Sequence, residues 1–71
     1  MRKDAKEYMG FVANVLVQKY HLSEIEAYKA IKESFLYDSL MKFPDETLHD
    51  DVVTNADFVY EDYSSQQLLQ M

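Results

Sequence analysis

The stretch KYHLSEIEAYKAI, residues 19–31, decides how this chain is read. Ser23 and Glu26 form an S-x-x-E pattern, in which each side chain satisfies the other residue's free backbone N–H at the start of a helix. Leu22, one residue before the cap, and Ala27, at the fourth helical position, give a weak hydrophobic staple. A helix therefore begins at Glu24, another ends near Tyr20, and a short turn joins them. That arrangement could be a DNA-reading helix-turn-helix or the corner of two packed helices. A reading helix needs Arg, Lys, Asn or Gln near its start, aimed at base edges. This one opens EIEAYKAI, with Glu24 and Glu26 where phosphates would lie and only Lys29 and Lys32 as cations. DNA binding draws on several phosphate contacts, each displacing a counterion. The corner of an antiparallel helix pair is the better reading, and nucleic acid is not the expected partner.

Working outward, residues 4–20 carry the clearest helical period, with Asp4 as a fair N-cap. Ala5, Tyr8, Met9, Val12, Val15, Leu16 and Tyr20 share one face, and Phe11, Ala13 and Val17 widen it. A sector this broad needs cover on more than one side, from other helices or from a second copy. A homodimer through residues 4–20 is therefore an expectation. In the next helix, read over residues 24–36, Ala27, Tyr28, Ile31 and Phe35 form the inward stripe. Asp38 can cap a short helix that Pro44 ends, because the residue before proline avoids helical angles. PDETLHDD reads as a turn or a single helical turn. Val52 and Val53 could form a short extended piece. Thr54 or Asn55 can cap a last helix in which Ala56, Val59, Tyr60 and Tyr63 recur on one side.

The expected fold is all-α, a small bundle of three to four helices with an antiparallel first pair. Residues 1–63 make a single domain, and residues 64–71 a frayed C-terminal extension. The expected core is Tyr8, Val12, Leu16, Ala27, Ile31, Phe35, Leu40, Leu48, Val59 and Tyr60. A chain of 71 residues buries only about 60% of the surface its unfolded form exposes. No cysteine can staple it, so packing must hold it. The longest apolar run, FVANVLV, falls far short of the roughly 20 residues a membrane span needs. No signal peptide is visible, and a cytoplasmic location without membrane attachment is expected.

Charge is the most informative bulk property. Residues 1–42 hold all seven basic side chains against six acids. Residues 43–71 hold seven acids (Asp45, Glu46, Asp50, Asp51, Asp57, Glu61 and Asp62) and no Lys or Arg. Such a field repels nucleic acid and attracts a basic partner. The chain also has six tyrosines and four phenylalanines, more rings than so small a core can hold. Tyr60 and Tyr63 stand among Asp57, Glu61 and Asp62. Rings among carboxylates suit a basic groove in which arginine stacks and pairs at once. These five residues are the candidate partner-binding site.

Candidate chemistry is sparse. His49 lies beside Glu46, Asp50 and Asp51, the minimum for general base work or the beginning of a metal site. No nucleophile elbow, zinc-protease motif, phosphate loop or calcium loop accompanies it. The imidazole is better read as bonding a helix end or a backbone carbonyl. No catalytic residue, metal or cofactor is expected. A structural or homo-oligomeric protein without chemistry of its own stays an alternative, as does a nucleic-acid-binding regulator.

Four segments in order, EYMGFVANVL, LSEIEAYKAI, LYDSLMKFPDETLH and ADFVYEDY, resemble a family of short bacterial proteins known only as a domain of unknown function. The resemblance covers roughly residues 6–63 and contains no chemical motif. After Leu48–His49 the family often has a glycine turn, where this chain has DDVVTN. Genes of that family often sit beside those of ADP-ribosyltransferase-like proteins. The resemblance implies a partner protein, an antitoxin-like role, and no activity of the chain itself.

Overall fold

A computed structural model describes residues 1–69, with side chains as far as Gln66, and every element in it is helical. In chain order these are α1 (Lys3–Tyr20), α2 (Glu24–Lys32), α3 (Phe35–Lys42), α4 (Pro44–Thr47) and α5 (Val52–Leu69). Five helices replace the expected three to four, because PDET forms a short helix of its own; the stretch read as one helix over residues 24–36 is also broken, which moves the start of the third helix back to Phe35. α5 continues through residues 64–69, so that part of the expected frayed extension is helical. The rest of the extension lies outside the described residues.

The corner at residues 21–23 forms as its sequence dictates. Ser23 Oγ accepts from the Glu26 N–H at 3.1 Å, and Glu26 Oε1 accepts from the Ser23 N–H at 3.2 Å. His21 ends α1 in the left-handed region, at φ 59°, and its N–H donates to the Val17 carbonyl at 3.1 Å.

The break between α2 and α3 is made by Ser34. Its buried hydroxyl donates to the Ile31 carbonyl at 2.7 Å and accepts from the Leu36 N–H at 3.2 Å. It closes one helix and caps the next, the role expected of Asp38 for the third helix. Restarting the helix at residue 35 turns the register. Leu36 enters the core with no exposure, and Phe35, expected inside, is 47% exposed. Pro44 ends α3 as expected, with Phe43 out of the helical region at φ −133° and ψ 57°. Thr47 is buried and donates its hydroxyl to the Phe43 carbonyl at 2.8 Å. Asp51, rather than Thr54 or Asn55, holds the start of α5, accepting from both the N–H and the hydroxyl of Thr54 at 2.9 Å. Val52 and Val53 are the first helical residues of α5. At the other end of the chain α1 begins before Asp4, which lies in its first turn.

α1 is the central element, packed by α2 and, most extensively, by α5. Its buried side chains are Ala5, Tyr8, Val12, Ala13 and Leu16. With Ala27, Ala30, Ile31, Leu36, Leu40, Ala56 and Val59 they form one core. Each large aliphatic side chain in it contributes about 1.5–3 kcal/mol by leaving water. Leu48 and Tyr60 pack at the edge of the core, half-buried. Tyr8, 4% exposed, carries a polar group into the core between helices. Its hydroxyl donates to the Asp50 carbonyl at 2.9 Å and accepts from Asn55 Nδ2 at 2.8 Å. No buried side-chain nitrogen or oxygen among the described residues lacks a partner.

Leu16 has no exposed surface. Leu16→Ala is expected to cost about 2–5 kcal/mol, a large share of the stability of so small a domain. Urea titration of the two proteins measures this, and an unchanged midpoint would take Leu16 out of the core.

Candidate protein-docking face

α5 has two faces with different work. At 100° per residue, Asn55, Ala56, Val59, Tyr60 and Tyr63 fall on one side, and Phe58, Glu61, Asp62 and Ser65 on the other. Burial follows the same division. Asn55, Ala56 and Val59 are buried, and Tyr60 and Tyr63 half-buried, while Phe58, Glu61, Asp62 and Ser65 are exposed.

Three of the five expected partner-binding residues are held by the chain itself. Tyr60 stacks on Tyr20 of α1, with ring centroids 3.8 Å apart and planes 6° from parallel. Asp57 Oδ1 accepts from the Tyr20 hydroxyl at 2.6 Å and from Lys19 Nζ at 2.9 Å. Tyr63 donates its hydroxyl to Glu26 Oε2 at 3.1 Å, so the carboxylate that completes the α2 capping box also ties α5 to α2. Bonding to the Tyr20 hydroxyl, then to Lys19, holds the Asp57 carboxyl below its ordinary range. The same bond raises the Tyr20 phenol. Burial, then the bond to Glu26, raises Tyr63.

Glu61 and Asp62 remain, exposed and without an ion pair among the described residues. They line a shallow groove with Phe58, Ser65 and Phe35 from the start of α3. Phe58 and Phe35 are 51% and 47% exposed and meet edge to face, with centroids 6.4 Å apart and planes at 71°. Sequence reasoning missed both phenylalanines as surface residues. A signal for Phe58 was present. Ala56, Val59, Tyr60 and Tyr63 had been placed on one helical side, which sends residues 58, 61, 62 and 65 to the other.

The seven acids of residues 43–71 do not all contribute to a free field. Asp45 pairs with Arg2 at 2.7 Å and Asp57 with Lys19 at 2.9 Å. Asp51 is occupied in capping α5, and its bonds to Thr54 hold its pKa down. Glu46, Asp50, Glu61 and Asp62 carry the remainder without a cationic partner among the described residues. His49 is exposed, and the bond made there is from its backbone N–H to the Glu46 carbonyl at 3.3 Å, not from its imidazole. No group of three or more His, Asp or Glu side chains among the described residues is placed to hold a metal ion. No helix among them is long and apolar enough to cross a membrane.

The Tyr20–Asp57 bond makes stability fall at both ends of the pH scale. Asp57 lies below its ordinary value of 3.8, so its contribution is present above that value and lost as pH falls through the depressed one. Tyr20 lies above 10.0, so its contribution is present below that value and lost as pH rises through the elevated one. The pair is only partly buried, so the effect is modest. In Asp57→Asn the Tyr20 phenol should titrate lower than in the parent, read by ring-carbon NMR, and the acid-side loss should shrink. An unchanged Tyr20 titration would mean the bond does not form in solution.

Compared with models of known protein families, with curated proteins and with solved structures, the chain matches none.

Proposed function

We propose that this protein is a cytoplasmic interaction module that binds a partner with a basic surface through the outer face of α5. The observation that carries the reading is the edge-to-face pair Phe35–Phe58, half exposed and flanked by the carboxylates of Glu61 and Asp62, which have no cationic partner among the described residues. Exposing two aromatic rings side by side forgoes burial that a core position would give. Contacts of this kind recur where a protein meets another protein. The flanking charge is of one sign, which supports a basic partner. Ile25, 82% exposed, stands among Glu24, Lys29, Lys32 and Glu33, and that balanced surround favours no partner sign. Asp57, Tyr60 and Tyr63 act here from behind, holding α5 on α1 and α2 so that its outer face is fixed.

The reading assigns no catalysis and no cofactor. The resemblance to the short bacterial family, with its antitoxin-like role, rests on the quoted segments alone. We take α1 and α2 as the antiparallel pair of the bundle. The Tyr28 hydroxyl lies beside Gly10, and both line one groove with Val17 and Glu24, which supports that direction. α2 presents Glu24 and Glu26 exposed at its start, so a nucleic-acid role has the weaker support.

A homodimer through residues 4–20 is the second reading, favoured by Phe11, 61% exposed on α1. Much of the apolar breadth that suggested it is used within the chain, by α2 and α5. Glu7 and Asp50 rim Phe11, with Asp4 beside them already paired to Arg2 at 2.8 Å, and a two-fold contact there would bring the Glu7 and Asp50 charges of two copies together.

One experiment separates the two. A photo-crosslinking phenylalanine analogue placed at position 58 or 11 in the native host reports what touches each ring. Position 58 is expected to give an adduct with a different protein, lost in the double variant Glu61→Lys, Asp62→Lys. An adduct at 58 indifferent to that reversal, or none, would contradict the proposal. A self-adduct from position 11 would support the dimer.

A further inference from the structure

We infer that the groove of Phe35, Phe58, Glu61 and Asp62 receives an arginine side chain of the partner, in preference to lysine. This rests on the reading of the outer α5 face as the docking face, and it adds the chemistry of the group that enters.

Glu61 and Asp62 follow Phe58 by three and four residues, so they lie about 60° to one side of it and about 40° to the other. A cation resting on the Phe58 ring is therefore flanked by a carboxylate on each side. Phe35 meets Phe58 at 71°, so the two rings form an open corner rather than a flat stack. Neither carboxylate is spent on an ion pair among the described residues, whereas Asp57, one residue before Phe58, is already held by Lys19.

Different occupants fare differently in that corner. An aliphatic side chain would cover the rings but strip water from two carboxylates and give them nothing in return. An anion would be repelled by both. A lysine ammonium supplies charge, but it is compact, strongly hydrated and poorly shaped to lie on a ring. A guanidinium is planar and weakly hydrated, can stack on an aromatic face, and projects donors in its plane toward carboxylates on either side. The corner offers a face for stacking and two acceptors at its rim, the combination that an arginine uses and a lysine does not.

The test uses two short peptides of equal length and charge, one with arginine and the other with lysine at every basic position. Each is titrated into the intact protein at low salt, with the Phe35 and Phe58 rings followed by NMR. The arginine peptide is expected to shift both rings and to bind about 3- to 10-fold more tightly than the lysine peptide. Phe58→Ala, an exposed position whose loss leaves the core intact, should remove that preference. Glu61→Gln with Asp62→Gln should weaken both peptides. Equal affinity for the two peptides, with both shifting the rings, would overturn the arginine preference and leave the docking face standing. Ring signals that respond to neither peptide would overturn the inference outright. The docking face itself is then judged by the crosslink from position 58.

Discussion

Two tyrosines of α1 determine how the last helix lies, and the rest of the molecule depends on that. Tyr8 anchors the beginning of α5 through its bonds to Asn55 and the Asp50 carbonyl. Tyr20, twelve residues on, anchors α5 further along through its stack on Tyr60 and its bond to Asp57. A bundle with no disulfide to staple it must resist sliding and rotation of its helices by packing and by directional contacts. Aliphatic contacts alone are non-directional and tolerate rotation. Hydrogen bonds do not, and leaving Asn55 or Tyr8 unsatisfied in the interior would cost about 1–3 kcal/mol. The ties therefore favour the one rotation of α5 in which these contacts form.

Fixing that rotation separates what the helix uses inside from what it leaves outside. Ala56 and Val59 enter the core, and Tyr60 and Tyr63 close over its edge. Phe58, Glu61, Asp62 and Ser65 are left facing water, with Phe35 brought alongside by the restart of the chain at Ser34. The proposed docking face is thus a consequence of two features that serve folding. A rotation of α5 by one residue's worth of angle would carry Phe58 toward the core and put a tyrosine among the acids.

The helical character and the first corner were legible because their signals are local. The capping box lies within four residues, and Pro44 ends α3 by its own geometry. The break in the middle of the chain was less legible. Ile31 and Phe35 stand four apart, a spacing that a continuous helix would place on one face, and only the double use of the Ser34 hydroxyl interrupts it. Asp51 was read as part of an acidic run, although Asp51 and Thr54 stand at capping distance. The clustering of rings and acids near the C-terminus was legible in composition, but not the contacts of each residue. Tyr60 and Tyr63 belong both to the inward stripe and to the candidate partner-binding residues, and the structure leaves both half-buried against α1 and α2. The partners of Asp57 could not be read at all, since Lys19 and Tyr20 lie 38 and 37 residues away. Pairings at such separations follow from packing rather than from any local pattern.

The division of α5 is the claim on which the account stands, and the solvent exposure of its rings measures that division directly. A soluble paramagnetic gadolinium chelate broadens the NMR signals of ring protons that water reaches. Strong broadening of Phe58 and Phe35 is expected, with marked protection of Tyr20 and Tyr60, whose rings cover each other. Tyr60 broadened as strongly as Phe58 would show that α5 sits in a different rotation, and the proposed face would not exist in solution.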